Sequence, residues 1–420
     1  DAPRFAFSVP SLNVAEPHRL YHWTVLPKGM KNSPTICQAF VAKALAPIRQ
    51  QHLQAIIYHY MDDILVAAPT IDSMKVVLEA VTRQVTLAGL VIAPEKVQEM
   101  PPWRYLGWRI TEQTITPQEL KLRVKIENLH DLQQLLGSLN WLRPVIGLTN
   151  EELHPLLTLL KGDPALTSKR TLSTDAEKAL QTVAERLAAR KAHQRLEGVP
   201  FGLIIFNSTY QSFALLAQWD PSQQDPLVII EWLFLLHQFS KTVTSQPELI
   251  SMLLQKGRDR MMLLDGQDPR DIYLLMDLKQ LEWLLKYSLS FQIATEGFAG
   301  QFRIHLPKHP LFQTLPSLPV FKGSKLSPTP LQALTVFTDG SGCTGRSVNG
   351  PWQQDVQGSS QITELAAVVR AFRQWTANLN IVTDSAYVAG LVSRLESAYL
   401  KEVSNPQLFA LMKELLFLLN

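Results

Sequence analysis

The sequence predicts a multidomain α/β chain of the α+β kind, and three observations carry that expectation. At 420 residues the chain is too long for one ordinary core, since domains average about 150 residues. Its hydrophobic share of 46% and mean hydropathy of +0.00 are those of a globular protein, and no run approaches the ~18 uninterrupted apolar residues of a membrane span. The most apolar stretch, 227–236, is broken by Glu231 and reads as a buried strand. The hydrophobic period also changes along the chain. It is strand-like with interposed helices over 1–116, helical over 117–198, strands followed by alternating helix and strand over 199–330, and alternating again over 331–420.

In the first region Phe5-Ala6-Phe7-Ser8-Val9 alternates, and residues 21–26 answer it across a connection containing Pro17, which predicts an antiparallel pair. Residues 26–34 are rich in breakers and predict a loop ending at Ser33 as helix N-cap, with Pro34 at the first helical position. That helix places Ile36, Phe40, Val41, Ala44 and Leu45 at helical spacing, as an apolar face packed under the next element. Residues 55–67 predict a β-hairpin, because two β-branched and aromatic runs flank Met61-Asp62-Asp63. Residues 73–88 predict a second helix carrying Val76, Val77, Leu78, Val81, Val85 and Leu87, closed by Gly89.

Two adjacent carboxylates within an apolar run repel each other and call for a cation. Mg²⁺ takes carboxylate oxygens and keeps its other positions for water and phosphates. Tyr60-Met61-Asp62-Asp63 between hydrophobic strands closely resembles the polymerase motif of retroviral reverse transcriptases. Leu26-Pro27-Lys28-Gly29-Met30, followed by Ser33-Pro34-Thr35-Ile36-Cys37-Gln38, resembles the segment before that motif in alpha- and betaretroviral enzymes and their endogenous relatives. The resemblance implies nucleotide contacts at Lys28, Gly29, Tyr60 and Met61. Those enzymes usually have Gln where Lys28 stands, so a cation replaces an amide's hydrogen-bond pattern there. Pro94-Glu95-Lys96 leads to Trp103-Arg104-Tyr105-Leu106-Gly107-Trp108-Arg109-Ile110, an aromatic and glycine hairpin that resembles the family's primer grip. Lys96, Tyr105 and Gly107 are the contacts it implies.

Residues 117–198 turn helical, and Gln133, Gly137 and Trp141 recur at i, i+4 and i+8 on one helix face. A glycine there lets another backbone approach closely. The segment is similar to the thumb helix that lies in the minor groove of the template-primer. From 199, strands are expected at 201–206, 212–219 and 228–236, then a helix at 247–255, a short strand at 261–264 and a helix near 277–287. That order is the one expected of the ribonuclease H fold, and it predicts a degenerate copy of the last region, with Ser208 where Asp339 stands. The stretch resembles the non-catalytic connection domain of retroviral polymerases. Residues 307–330, with six prolines, predict a linker.

The last region carries a second set of acids. A strand over 334–341 ends in Asp339, Glu364 stands at a helix start, and a strand from Asn380 ends in Asp384. Two strand ends and a helix start can converge at one sheet edge, where the acids could share two metal ions about 3.5–4 Å apart. The ordered set closely resembles ribonuclease H.

Taken over the whole chain, the resemblance implies a polymerase palm at 1–116, a helical thumb at 117–198, a connection domain and linker at 199–330, and a ribonuclease H-like domain at 331–420. It implies RNA-directed DNA synthesis at Asp62 and Asp63 and RNA hydrolysis at Asp339, Glu364 and Asp384, with Mg²⁺, or Mn²⁺ in its place, at both sites. The implied partners are an RNA template, a DNA primer, an RNA–DNA hybrid and dNTPs, with dimerisation left open and no membrane. The family's first polymerase aspartate precedes the segment that begins at Asp1, and its last ribonuclease H acid follows the segment that ends at Asn420. The chain is therefore expected to be impaired in synthesis more than in hydrolysis. A catalytically inactive nucleic-acid-binding or scaffold protein is the other expectation. Net charge is +3, with the Lys and Arg surplus in the first 198 residues, which permits a polyanionic partner. Cys37 and Cys343 stand far apart without metal-ligand spacing, and no leader opens the chain, so an intracellular, non-secreted setting is expected.

Overall fold

The computed structural model describes residues 6–9, 19–27, 29–118, 126–208, 211–236, 241–315, 326–327, 329–341, 346–349, 352–355, 358–396 and 398–419. The chain divides into two compact units, residues 1–112 and 113–420.

In the first unit, β1 (Phe7–Val9) pairs antiparallel with β2 (Arg19–Tyr21), and the Phe7 and Tyr21 rings stack at 5.8 Å. The predicted pair forms, but residues 22–26 are not strand. The ladder of β1 is only three residues long and is filled by 19–21. Phe5 and Lys28 lie outside the described residues.

Helix α1 (Ser33–Gln51) begins one residue earlier than predicted, with Asn32 as N-cap. The Ser33 hydroxyl donates to the Pro27 carbonyl at 2.9 Å instead of capping. Its buried face is also narrower than the apolar spacing suggested: Val41, Leu45 and Ile48 are buried, while Ile36 and Phe40 are exposed. The hairpin of β3 (Ile56–Tyr60) and β4 (Asp63–Ala67) follows, with Tyr60 opposite Asp63. Helix α2 (Ile71–Leu87) opens on a capping box of Thr70 and Ser73, and Gly89, at φ +80°, follows its end. Val76 and Leu87 point to solvent.

One core joins Val41, Leu45 and Ile48 of α1 with Ile57 of β3 and Val77, Val81 and Val85 of α2. Both helices thus support one face of the hairpin, and Ile56, Tyr58 and Tyr60 are exposed. Strands β5 (Trp103–Tyr105) and β6 (Trp108–Ile110) form a second hairpin. Its turn residues, Leu106 at φ +46° and Gly107 at φ +79°, both take the left-handed conformation that a two-residue turn of this hand demands.

The second unit starts with β7 (Thr114–Pro117), continues through α3 (Leu129–Ile146), α4 (Asn150–Thr158) and α5 (Thr174–Ala189), and returns to β8 (Ala192–His193), which pairs with β7. Asn128, Thr149 and Ser173 cap the three helices with side-chain oxygens. The buried face of α3 carries Leu132, Leu135, Leu139, Leu142 and Ile146. Arg143 is buried beside them, donates to the Leu148 carbonyl and to Asn150, and stacks over Phe234. Burial lowers its pKa to about 10, against the pull of Glu152, so it stays cationic at neutral pH.

The first large sheet comprises β9 (Phe201–Phe206), β10 (Phe213–Trp219) and β11 (Leu227–Phe234). Then come the short β12 (Val243–Ser245), α6 (Gln246–Asp265), β13 (Asp271–Leu274), α7 (Leu278–Tyr287), α8 (Leu289–Thr295), β14 (Gln301–Arg303) and α9 (Pro310–Thr314). The strand order is β11-β10-β9-β13-β14, with β9, β10 and β11 antiparallel and β9, β13 and β14 parallel.

Two expectations fail here. Residues 261–264 are the last turn of α6, not a strand: the helix runs on through Gly257, which packs against Leu203, to Gly266 at φ +69°, and Met261 joins the core beside Leu254. A four-residue apolar run has no decisive period of its own. The predicted linker contains α9, whose Phe312 is buried with its ring 6.0 Å from that of Phe206.

The second large sheet comprises β15 (Leu334–Ser341), β16 (Arg346–Asn349), β17 (Trp352–Asp355) and, after α10 (Ser360–Gln374), β18 (Leu379–Thr383). Its order is β17-β16-β15-β18, antiparallel except for the parallel pair β15–β18. Helix α11 (Ala386–Leu395), β19 (Ala398–Leu400) and α12 (Pro406–Leu419) complete the chain. β19 pairs with β12, so Val243 is buried in the core formed by α10, α11 and α12. Among the described residues no helix is long and apolar enough to cross a membrane.

Candidate catalytic carboxylate sites

The parallel pairing of β15 with β18 sets Thr338 opposite Thr383. The acid that follows each threonine, Asp339 or Asp384, therefore leaves at the same sheet edge. Helix α10, begun at N-cap Ser359, carries Glu364 to that edge. One carboxylate oxygen from each of Asp339, Glu364 and Asp384 lies within 4.8 Å of the other two. Glu364 is buried, and the two aspartates are exposed.

The backbone around them is pinned locally. The Thr338 hydroxyl donates to the Val382 carbonyl at 3.4 Å, the Ser385 N–H donates to Thr383 Oγ1 at 3.2 Å, and Ser385 caps α11. Three carboxylates this close repel one another unless a cation joins them. An all-oxygen, all-carboxylate donor set fits a hard ion such as Mg²⁺ or Mn²⁺.

The other pair, Asp62 and Asp63, is exposed at the β3–β4 turn. Met61, at φ +53°, shapes this turn, and its N–H donates to Gln38 Oε1 of α1 at 2.6 Å. The second hairpin packs beside the first, with the Tyr58 and Tyr105 rings edge-to-face at 6.4 Å. Burial raises the Tyr105 pKa to about 12, and the neighbouring Tyr58 and Asp63 push the same way. Its hydroxyl is buried without a hydrogen-bond partner among the described residues. Tyr60, Met61 and Tyr105 therefore gather around the two aspartates.

Gly29 at φ +88°, Lys96 on a short 3₁₀ turn and Gly107 are exposed elsewhere in this unit. Gln133, Gly137 and Trp141 form an exposed stripe on α3, opposite its leucine face, and a Cβ on Gly137 would meet open space.

Three family models match the chain. Residues 1–110 match a reverse transcriptase (RNA-dependent DNA polymerase) model, residues 117–181 a reverse transcriptase thumb model, and residues 209–312 an ERVK-8-like, RNaseH-like domain. The Gag-Pro-Pol polyprotein of mouse mammary tumor virus (strain BR6) is 37% identical over 95% of this chain. Those of squirrel monkey retrovirus and Mason-Pfizer monkey virus are 36% and 35% identical over 99% of it. The chain belongs to the retroviral Pol reverse transcriptase and ribonuclease H family. It spans 23% of the length of the mouse and squirrel monkey polyproteins.

The family's RNaseH-like model falls on the first large sheet, where three strands followed by alternating helix and strand had suggested that fold. The residues that hold the Asp62–Asp63 turn, Gln38, Arg49 and His59, were not singled out from sequence. Gln38 closes the quoted Ser33–Gln38 motif, and its place one helix face from the hairpin was the available signal. The partners of Ser208 were also missed. Its hydroxyl donates to Glu151 Oε1 at 3.0 Å, and its carbonyl accepts from the Tyr399 hydroxyl at 2.6 Å.

Proposed function

We propose that the chain carries both chemistries of its family: RNA-directed DNA synthesis at Asp62 and Asp63, and hydrolysis of the RNA strand of an RNA–DNA hybrid at Asp339, Glu364 and Asp384. On this reading residues 1–116 are palm, 117–198 thumb, 199–330 connection domain and 331–420 ribonuclease H domain, and the protein works in the cytoplasm or the virion. The observation that carries it is the meeting of three carboxylates from a strand, a helix and a second strand end within 4.8 Å. Mg²⁺, or Mn²⁺, held there supplies positive charge that acidifies a bound water and stabilises a leaving oxygen.

The chain's own groups divide the labour by burial. Glu364, buried on α10, is the fixed donor. Asp339 and Asp384 face the solvent from which a hybrid arrives. Asp62 and Asp63 present their oxygens where a primer 3′-hydroxyl meets the α-phosphate of a dNTP. Lys28, Gly29, Tyr60 and Met61 attend the nucleotide, and Lys96, Tyr105 and Gly107 attend the primer end. Gly137 gives a sugar-phosphate chain close access to α3, flanked by Gln133 and Trp141.

The test pairs primer extension on an RNA template with cleavage of a labelled RNA–DNA hybrid, both with added Mg²⁺. Asp62→Asn with Asp63→Asn should remove synthesis and spare cleavage, and Asp339→Asn should do the reverse. Salt-sensitive hybrid binding with neither activity would replace this reading with that of a non-catalytic nucleic-acid-binding protein.

A further inference from the structure

We propose that Gln38 is a positioning residue for strand synthesis, because its side-chain amide sets the backbone of the turn that carries Asp62 and Asp63. The proposal rests on the reading of those aspartates as the polymerase acids. Met61 adopts φ +53°, a left-handed conformation disfavoured for a residue with a Cβ, and a bond from outside the hairpin helps to hold it. Gln38 Oε1 accepts the Met61 N–H at 2.6 Å, and Gln38 Nε2 donates to the His59 carbonyl at 3.4 Å. One amide therefore grips the chain on both sides of Tyr60.

Two further bonds continue the grip along β3. Arg49 Nε donates to the Ile57 carbonyl at 2.9 Å, and Arg49 Nη2 lies 2.9 Å from His59 Nδ1. A guanidinium has donors only, so Nδ1 accepts and the ring proton sits on Nε2, which donates to the Gln38 carbonyl at 3.2 Å. Residues 57, 59 and 61, every second position, are thus tied to α1. The helix itself is anchored by Val41, Leu45 and Ile48 in the core it shares with Ile57. The direction of the two carboxylates is thus inherited from a packed helix, with the Gln38 side chain as the link nearest the turn.

Three variants of the chain and two readouts test this. Gln38→Leu fills the volume without an acceptor, Gln38→Ala leaves it empty, and Gln38→Glu keeps an oxygen for the Met61 N–H. Amide hydrogen exchange at Met61 should be at least about tenfold faster in the Leu and Ala variants and should stay protected in the Glu variant. In primer extension, kcat should fall about tenfold or more in the Leu variant, with a smaller change in KM for dNTP, while hybrid cleavage stays at the unsubstituted rate. If the unsubstituted chain synthesises no DNA, the exchange pattern still decides: protection that follows the acceptor upholds the clamp, and the fault lies with the assignment of the acids. Equal Met61 exchange in all forms overturns the proposal. So does an unchanged kcat in the Leu variant of a chain that synthesises DNA.

Discussion

The two large sheets of the second unit share a plan and differ at one edge. In the first, β9 runs antiparallel to β10 and parallel to β13; in the second, β15 runs antiparallel to β16 and parallel to β18. Matching Ile205 opposite Leu274 with Val336 opposite Ile381 places Ser208 where Asp339 stands, and Asp277 where Asp384 stands. Counting from the helix caps Ser245 and Ser359 places Ile250 where Glu364 stands.

The first sheet therefore keeps a serine, an isoleucine and one acid, and Asp277 is occupied in capping α7 through the Gln280 N–H at 2.8 Å. Its edge is covered rather than open. Ser208 and Gln211 are buried against α4 through Glu151 and Asn150, and Tyr399 of β19 donates to the Ser208 carbonyl. A topology that gathers side chains at one edge gives catalysis or a joint, according to which residues stand there.

The comparison can be broken most forcefully from the second sheet. Asp384→Asn should cut hybrid cleavage by about 10²-fold or more, measured as the single-turnover rate, while leaving primer extension unchanged. The reverse exchange probes the first sheet. Ile250 is fully buried in the core with Leu249, Leu253 and Leu254, so Ile250→Glu should cost about 3–5 kcal/mol in urea unfolding and create no hydrolysis, because the acid gains burial without a partner.

A smaller pair of changes sharpens the contrast. Ser208→Ala removes the donor to Glu151 and should destabilise the unit by about 1–3 kcal/mol. Asp339→Asn, at the matching position, relieves repulsion and should leave the metal-free urea midpoint unchanged or higher.

The smallest effect is a pH response at β8, where His193 meets β11 of the first sheet. His193, whose Nδ1 faces the Ile229 carbonyl at 3.3 Å, has its pKa lowered from 6.5 chiefly by burial, with the carbonyl opposing. The unfolded chain takes up this proton before the folded one does. The stability it governs is thus complete above pH 6.5 and declines as the pH drops below it. His193→Asn should flatten the fall in urea midpoint between pH 8 and pH 5.5, with the unsubstituted chain as reference.

Much of this was legible in the sequence because the signals were local. Alternating strands around Met61-Asp62-Asp63 announced their hairpin, and the acids of 334–341 and 380–384 stood at strand ends whose pairing a parallel crossover requires. The Gln133, Gly137 and Trp141 stripe followed from helical spacing alone. What escaped was non-local or too short to carry a period. The pairing of β12 with β19 joins three-residue strands more than 150 positions apart, Met261 belonged to a helix whose stop lay at Gly266, and Phe312 turned a proline-rich stretch into core. The Gln38 bond to Met61 depends on a helix face and a strained turn meeting in space, which no spacing rule encodes.

The most direct test of the central claim is calorimetric titration of Mg²⁺ into the full chain and its Asp384→Asn variant, without nucleic acid. Saturable binding in the unsubstituted chain that is lost or at least tenfold weaker in the variant is the predicted result. Identical titration curves for the two proteins would contradict the account, because the three gathered carboxylates would then not be where the metal is held.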